Sequence, residues 1–119
     1  MFDIFILMLI GHAVCDYPLQ GEWLAKAKDP VHPLLPGQTI WPSALAAHAG
    51  IHAGAVLLAT GSSLLAALEF FAHAGIDYAK CAGRISFNQD QTLHVLCKFV
   101  WLVVLAIGVI SAQPILLVR

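Results

Sequence analysis

The sequence predicts an all-α integral membrane protein in which four helices form a bundle, running up, down, up and down. Composition is the first reason, because 60% of the 119 residues are hydrophobic and only 11% are charged. A soluble domain is typically about 45–50% apolar and about 25% charged. The second reason is that four long apolar segments lack the alternation typical of strands. A chain of this length is expected to form one transmembrane domain, residues 1–119.

The four apolar segments have the length of membrane spans. Each has roughly 16–21 residues, near the ~20 that a helix needs to cross the bilayer core. The link at residues 60–63 predicts a tight turn, so the second and third spans form an antiparallel hairpin. The motif H-A-x-x-D-Y at residues 12–17 recurs at 73–78, which is compatible with a parallel repeat of two helices each. We expect the spans at about residues 2–18, 42–60, 63–78 and 92–112.

Basic residues indicate which side of the membrane the two longer connections occupy. Lys26 and Lys28 follow the first span, and Lys80 and Arg84 follow the third. In an alternating bundle these connections share one side, which the positive-inside rule places in the cytoplasm. Arg119 would then lie on the outer side and mildly opposes this orientation. We therefore expect a protein of the cytoplasmic membrane, in contact with membrane lipid.

The charge and the cysteines exclude other classes of protein. A net charge of -1 provides no basic patch for nucleic acid, so no nucleic-acid partner is expected. The three cysteines have no CxxC spacing and are expected to be reduced. No Gly-rich phosphate loop, nucleophile elbow or HExxH motif is present. Association of several copies into a homo-oligomer stays open at this point.

Four pairs of histidine and aspartate residues, each with a spacing of four, interrupt the apolar spans. This spacing places both members of a pair on one face of a helix. In an alternating bundle all four pairs lie in the cytoplasmic half, so they can meet in one cluster. The pairs are His12/Asp16, His48/His52, His73/Asp77 and Asp90/His94.

Three interpretations of these pairs compete. Carboxylates and imidazoles are ligands of divalent metals, which favours one or two ions of Zn²⁺, or of Mn²⁺ or Fe²⁺. A hydrogen-bonded network without metal would also compensate the burial of these groups. A path for protons or ions is the third interpretation, since intramembrane ionisable residues suit relays. For Asp90 alone, capping of the fourth helix is an alternative.

Further polar residues extend the same helix faces. Glu69 precedes His73 by four residues and Lys98 follows His94 by four. They are candidate catalytic residues, a general base and a cation that stabilises negative charge. The alternative is a structural ion pair between them. Gln20 and Gln91 are expected to hydrogen-bond the metal-binding side chains.

The chain resembles the DUF3307 family of small membrane proteins from bacteria and phages, over about residues 5–105. The family has no assigned activity, but the resemblance implies a bacterial inner membrane. A more distant similarity is to membrane-bound metal-dependent hydrolases of the YdjM type, by analogy only. The resemblance rests on His12-x3-Asp16-x3-Gln20, Lys26, His48, His73-x3-Asp77-x2-Lys80 and Asp90-Gln91-x2-His94.

These observations predict a metal-dependent hydrolase that acts at the cytoplasmic membrane interface on a lipid or a phosphorylated substrate. A metal-ion or proton transporter or channel is a second hypothesis, although the outer halves of the spans are apolar. A metal-stabilised structural or interaction protein without catalysis, such as a phage membrane factor, is a third.

Overall fold

Five α-helices form the protein in a computed structural model that describes residues 1–117, and that range contains no strand. The prediction of an all-α protein is confirmed over these residues. Four of the helices are long, and the second is a short helix in the connection that follows the first. The helices are α1 Phe2–Asp16, α2 Gly21–Ala27, α3 Trp41–Thr60, α4 Ser63–Cys81 and α5 Phe87–Ala106, and a 3₁₀ turn follows at Ile115–Leu117.

The hairpin between α3 and α4 forms where the sequence predicts it. Gly61 ends α3 in the left-handed region, with φ 70°, which favours glycine because it has no Cβ. Ser62 caps α4, since its Oγ accepts a hydrogen bond from the N–H of Leu65 at 3.2 Å. Two residues therefore reverse the chain.

The fourth long helix lies about five residues earlier than the predicted span 92–112. Ser86 and Gln89 form a capping box, in which each side chain bonds the other's backbone N–H, at 3.2 and 2.9 Å. Capping by Asp90 was therefore the wrong interpretation. The helix ends at Ala106, before Gly108 with φ 73°, so residues 107–112 lie outside it. The other three spans differ by at most three residues from α1, α3 and α4.

The short helix α2 lies in the connection after the first predicted span, where the sequence analysis predicted no helix. It begins at Gly21, whose φ is 63°, and its axis is bent by 85° from that of α1. It packs against α3. This placement brings the end of α2, and the residues that follow it, over the end of the bundle at which α1 and α4 finish and α3 and α5 begin.

The four long helices pack in a ring of the order α1, α3, α4, α5. Helix α1 is diagonal to α4, and α3 is diagonal to α5. The predicted repeat of two helices would exchange α1 with α4 and α3 with α5 by a twofold rotation. Such a rotation requires the exchanged helices to lie diagonally opposite, as they do here. Arg119 and its predicted position lie outside the described residues.

The interior of the bundle is apolar at one end and polar at the other. The apolar half is a cluster of seven buried residues: Ile4, Met8, Val56, Ala59, Leu65, Trp101 and Leu105. These come from the start of α1 and α4 and from the end of α3 and α5, so successive long helices alternate in direction. Buried histidines and carboxylates fill the opposite half.

Among the described residues, α3 is long and apolar enough to cross a membrane. Helices α1 and α2 meet the same criterion only as one bent pair. The core helix of a soluble protein can also meet it, so length and composition by themselves do not define a membrane protein.

Replacement of Gly61 by alanine is expected to destabilise the hairpin. The added Cβ would lie 1.9 Å from the backbone oxygen of Gln113, and a left-handed alanine costs a further ~1 kcal/mol. Gly83→Ala is the matched control, because Gly83 has φ 72° and open space around its Cβ position. Thermal unfolding in detergent should show a clearly larger loss for Gly61→Ala than for Gly83→Ala. Equal losses would contradict the role of the close approach.

Candidate metal centre

The eight predicted histidines and aspartates come together in the polar half of the bundle. All of them are buried except Asp16, which is partly exposed. Helices α1 and α4 contribute their C-terminal ends, and α3 and α5 contribute their N-terminal halves. Their ligand atoms form three groups, and within each group the atoms lie no more than 4.8 Å apart: Asp16, His48, His52 and His73; His12, His73 and His94; and Asp77, Asp90 and His94.

The first group is centred on Asp16 at the end of α1. Its Oδ1 lies 3.1 Å from Nε2 of His52 and 3.3 Å from Nε2 of His48. Both histidines come from α3, where the spacing of four residues places them on the face toward α1. His73 of α4 completes a set of one oxygen and three nitrogen ligands. Four such ligands suit a tetrahedral ion.

The group of Asp77, Asp90 and His94 is centred on Asp77, near the end of α4. Its Oδ1 lies 3.2 Å from Nε2 of His94, and that nitrogen lies 3.4 Å from Oδ1 of Asp90. This group shares no residue with the Asp16 group, so two ions could be held side by side. The two groups adjoin, since Oδ2 of Asp77 lies 3.4 Å from Nε2 of His48. Two adjacent metals bridged by protein ligands are common in hydrolytic sites.

Several imidazole nitrogens in the cluster have no hydrogen-bond partner within residues 1–117. They include Nε2 of His73 and Nε2 of His48, both fully buried; the carboxylate oxygens 3.3 and 3.4 Å from His48 do not have the geometry of hydrogen bonds. Buried polar atoms are normally hydrogen-bonded, so each of these requires an explanation. The rings are also crowded, with centroids of His52 and His73 only 3.6 Å apart. A cation shared by these nitrogens would satisfy them, and the donor set of imidazole and carboxylate fits such an ion.

The two predicted glutamines differ in their contacts. Gln91 donates from Nε2 to Asp16 at 2.9 Å and to Asp90 at 3.1 Å, so it links the two groups. Its Oε1 lies 3.3 Å from Nε2 of His12. Gln20 donates instead to the backbone oxygen of Asp16, at 3.3 Å. Gln91 thus positions the carboxylates directly, whereas Gln20 contacts only the main chain.

Glu69 and Lys98 lie between the metal centre and the apolar half. Oε1 of Glu69 lies 2.5 Å from Nζ of Lys98, and its Oε2 accepts a hydrogen bond from Nε1 of Trp101 at 2.7 Å. Oε1 is also 3.5 Å from Nδ1 of His73, whose other ring nitrogen, Nε2, lies 3.6 Å from Oδ1 of Asp77. Trp101, a member of the buried apolar cluster, is thus also a hydrogen-bond donor to this buried carboxylate.

Lys28 is the residue of the site that the sequence analysis missed. It follows α2 directly, is only 3% exposed, and its ammonium group pairs with Oδ2 of Asp77. From the sequence, Lys28 is one of the basic residues in the connection after the first span. No helical spacing links it to other site residues, so its burial could not be predicted. No local pattern could have found it, because its burial depends on the 85° bend before α2 and on the packing of α2 against α3.

The connection after Lys28 is fixed by its own aspartate. Asp29 accepts hydrogen bonds from the backbone N–H of Val31, at 2.8 Å, and of His32, at 3.1 Å. Partial burial acts to raise the pKa of this carboxyl, but these donors lower it overall. Asp29 therefore stays ionised and stabilises the turn that follows Lys28.

A cavity of about 170 Å³ leads to the metal centre at the end of the bundle. Its walls include the carboxylates of both groups together with Gln20 and Gln91. Lys28 and Lys80 also line it, and the exposed rings of Tyr17 and Phe87 border it. The cluster is therefore buried on its sides and reached from one end.

Fold and site together define a class: a small helical bundle with a buried histidine and aspartate cluster that could hold a metal ion, beneath one polar opening. Within this class the chain belongs to the DUF3307 family, described as a protein of unknown function, whose model matches residues 4–117. No curated protein and no solved structure matches the chain.

The ion pair of Glu69 and Lys98 is expected to be required for stability. Glu69→Gln keeps an acceptor for Trp101 but leaves the buried Lys98 without a counter-charge, which typically costs about 3–5 kcal/mol. The double variant Glu69→Gln/Lys98→Met removes the unpaired charge at similar volume and should recover most of the loss. Thermal unfolding of both variants in detergent measures this. A double variant as unstable as the single one would contradict the argument.

Proposed function

We propose that the protein is a metal-dependent hydrolase that acts at the cytoplasmic face of a bacterial inner membrane, on a lipid or a phosphorylated substrate. One observation carries the proposal: two adjoining groups of histidines and carboxylates lie beneath a polar cavity that opens at the end of the bundle. A purely structural metal would need no opening of this kind, because structural sites are closed.

The ligands would be divided between two ions. Asp16, His48 and His52 with His73 form one set, and Asp77, Asp90 and His94 form the other. Zn²⁺ suits this mixture of imidazole and carboxylate, as do Mn²⁺ and Fe²⁺. The chemistry that such an ion supplies when bound is the activation of water for hydrolysis at neutral pH.

The chain's own residues would position these ligands. Glu69 lies beside Nδ1 of His73, so it would fix the orientation of that ring and leave Nε2 for the ion. Neither Glu69 nor Lys98 lines the cavity. We therefore favour positioning of His73, rather than contact with substrate, as the role of this pair.

The distribution of side chains supports a place in the membrane. The interior of one half holds histidines and carboxylates, whereas large apolar side chains face outward. Phe2, Phe71 and Val109 are 73%, 72% and 71% exposed. A soluble monomer rarely exposes so much apolar surface, whereas a lipid-facing surface requires it. The basic residues of the two connections at the open end favour the cytoplasmic side for the cavity.

A transporter or channel is less well supported. The buried apolar cluster closes the bundle opposite the cavity, with Met8, Leu65 and Trp101 in its centre. A single copy of the chain therefore offers no continuous polar route between the two ends over the described residues.

Metal analysis is the first test. Protein purified in detergent should contain about one or two equivalents of zinc, manganese or iron per chain by elemental mass spectrometry. His73→Ala and Asp77→Asn remove predicted ligands and should lower the content by about half or more. Asp3→Asn is the matched control, since Asp3 is exposed at the start of α1. Full metal content in both site variants would overturn the proposal.

Removal of the metal should abolish hydrolysis and lower stability together. A ligand present at one hundred times its dissociation constant stabilises the fold by about 2.7 kcal/mol, so chelation should lower the Tm measurably. Turnover of phosphate-ester and carboxylic-ester lipids should stop on chelation and return with added metal. A protein that binds metal but hydrolyses none of these substrates would instead be a metal-stabilised structural protein.

A further inference from the structure

We propose that the cavity is a subsite for a phosphoryl group, held by Lys28 and Lys80 against the metal centre. This inference rests on the proposed function, since it requires the metal. It goes further by naming the chemical class of the substrate, a phosphate ester whose phosphate alone enters the protein.

The size of the cavity restricts what it can take. Its volume of about 170 Å³ is well below the ~300–1,000 Å³ of pockets that enclose a whole drug-sized ligand. A compact tetrahedral anion with its water fits such a space. The rest of the substrate would lie at the rim, where the exposed rings of Tyr17 and Phe87 offer apolar contact.

The charge of the lining depends on the metal. Asp16, Asp77 and Asp90 line the cavity with Lys28 and Lys80, which leaves one negative charge in excess. A single divalent ion reverses that sign, and a second makes the site strongly positive. An anion is therefore expected to bind only after the metal, and the metal-free protein should repel it.

The two lysines occupy complementary positions. Lys28 is buried and pairs with Oδ2 of Asp77, an oxygen that a metal ion would take, so binding of the ion would free its ammonium group for an anion. Lys80 is half-buried at the rim, with Nζ 5.7 Å from the centroid of the Phe87 ring, and within residues 1–117 it pairs with no carboxylate. A metal ion and ammonium groups around one anion are a common arrangement for phosphoryl groups.

The test is the affinity for inorganic phosphate, measured by calorimetry on the full chain in detergent and loaded with the metal that it contains. Lys80→Met and Lys28→Met should each weaken binding about tenfold, the effect of one lost charge-assisted hydrogen bond. Lys26→Met is the matched control, because Lys26 belongs to the same segment but is exposed and pairs with Glu22 at 2.5 Å. It should bind phosphate as the wild type does.

The outcomes separate this inference from the proposed function. Metal uptake with no phosphate binding, or wild-type affinity in Lys80→Met, overturns the phosphoryl subsite and leaves the metal centre intact. Equal phosphate binding with and without metal overturns it too. A protein that takes up no metal overturns both.

A second arm identifies where the phosphoryl group comes from. Phosphatidylcholine nanodiscs with and without phosphatidate present the group on a lipid, and glycerol phosphate presents it in solution. Competition with inorganic phosphate by phosphatidate nanodiscs alone supports a lipid substrate. Competition by glycerol phosphate supports a soluble one. Competition by neither overturns the inference.

Discussion

The position of His48 between two carboxylates is the interaction on which the rest of the structure depends. Its Nε2 lies 3.3 Å from Asp16 of α1 and 3.4 Å from Asp77 of α4, so one ring of α3 joins three helices. Buried carboxylates are costly without counter-charges, typically by several kcal/mol per ion. These three helices must therefore keep this alignment. A cation at this point would compensate both carboxylates at once, and the donor atoms around His48 could hold one.

The apolar and the polar half of the bundle have different structural roles. The apolar half is stabilised by close packing of residues such as Met8 and Leu65, and it sets the distances between the helices. The polar half depends on those distances, because three carboxylates lie close together there and the buried ion pair with Lys28 compensates only one of them, Asp77. Glu69 stands at the boundary, bonded to Trp101 and Lys98 and adjacent to His73. Glu69 thereby connects the packed apolar half to the ring of His73.

Helix periodicity predicted the cluster but not its surroundings. A spacing of four residues fixes a shared face whatever the partner helix, so His12/Asp16 and His73/Asp77 could be found from the sequence. Lys28 could not, because its burial depends on the bend before α2 and on packing against α3. The start of α5 was misplaced since its first turn is polar and resembles a connection. Asp90 is polar because it faces the site, and Ser86 provides the cap.

At the polar end of the bundle, the neighbouring helices α1 and α3 do not end at the same level. Helix α1 stops at Asp16, where the chain turns through 85° into α2, while α3 begins at Trp41, seven residues before His48. At 1.5 Å per residue, His48 and the cluster around it lie about 10 Å further along α3 than its first residue. The cavity at this end of the bundle reaches the carboxylates of the cluster, and no residue of α3 lines it. If the protein is the membrane hydrolase proposed above, a substrate held in the surrounding lipid would therefore have to move outward less far to meet the cluster than if the cluster lay level with the start of α3.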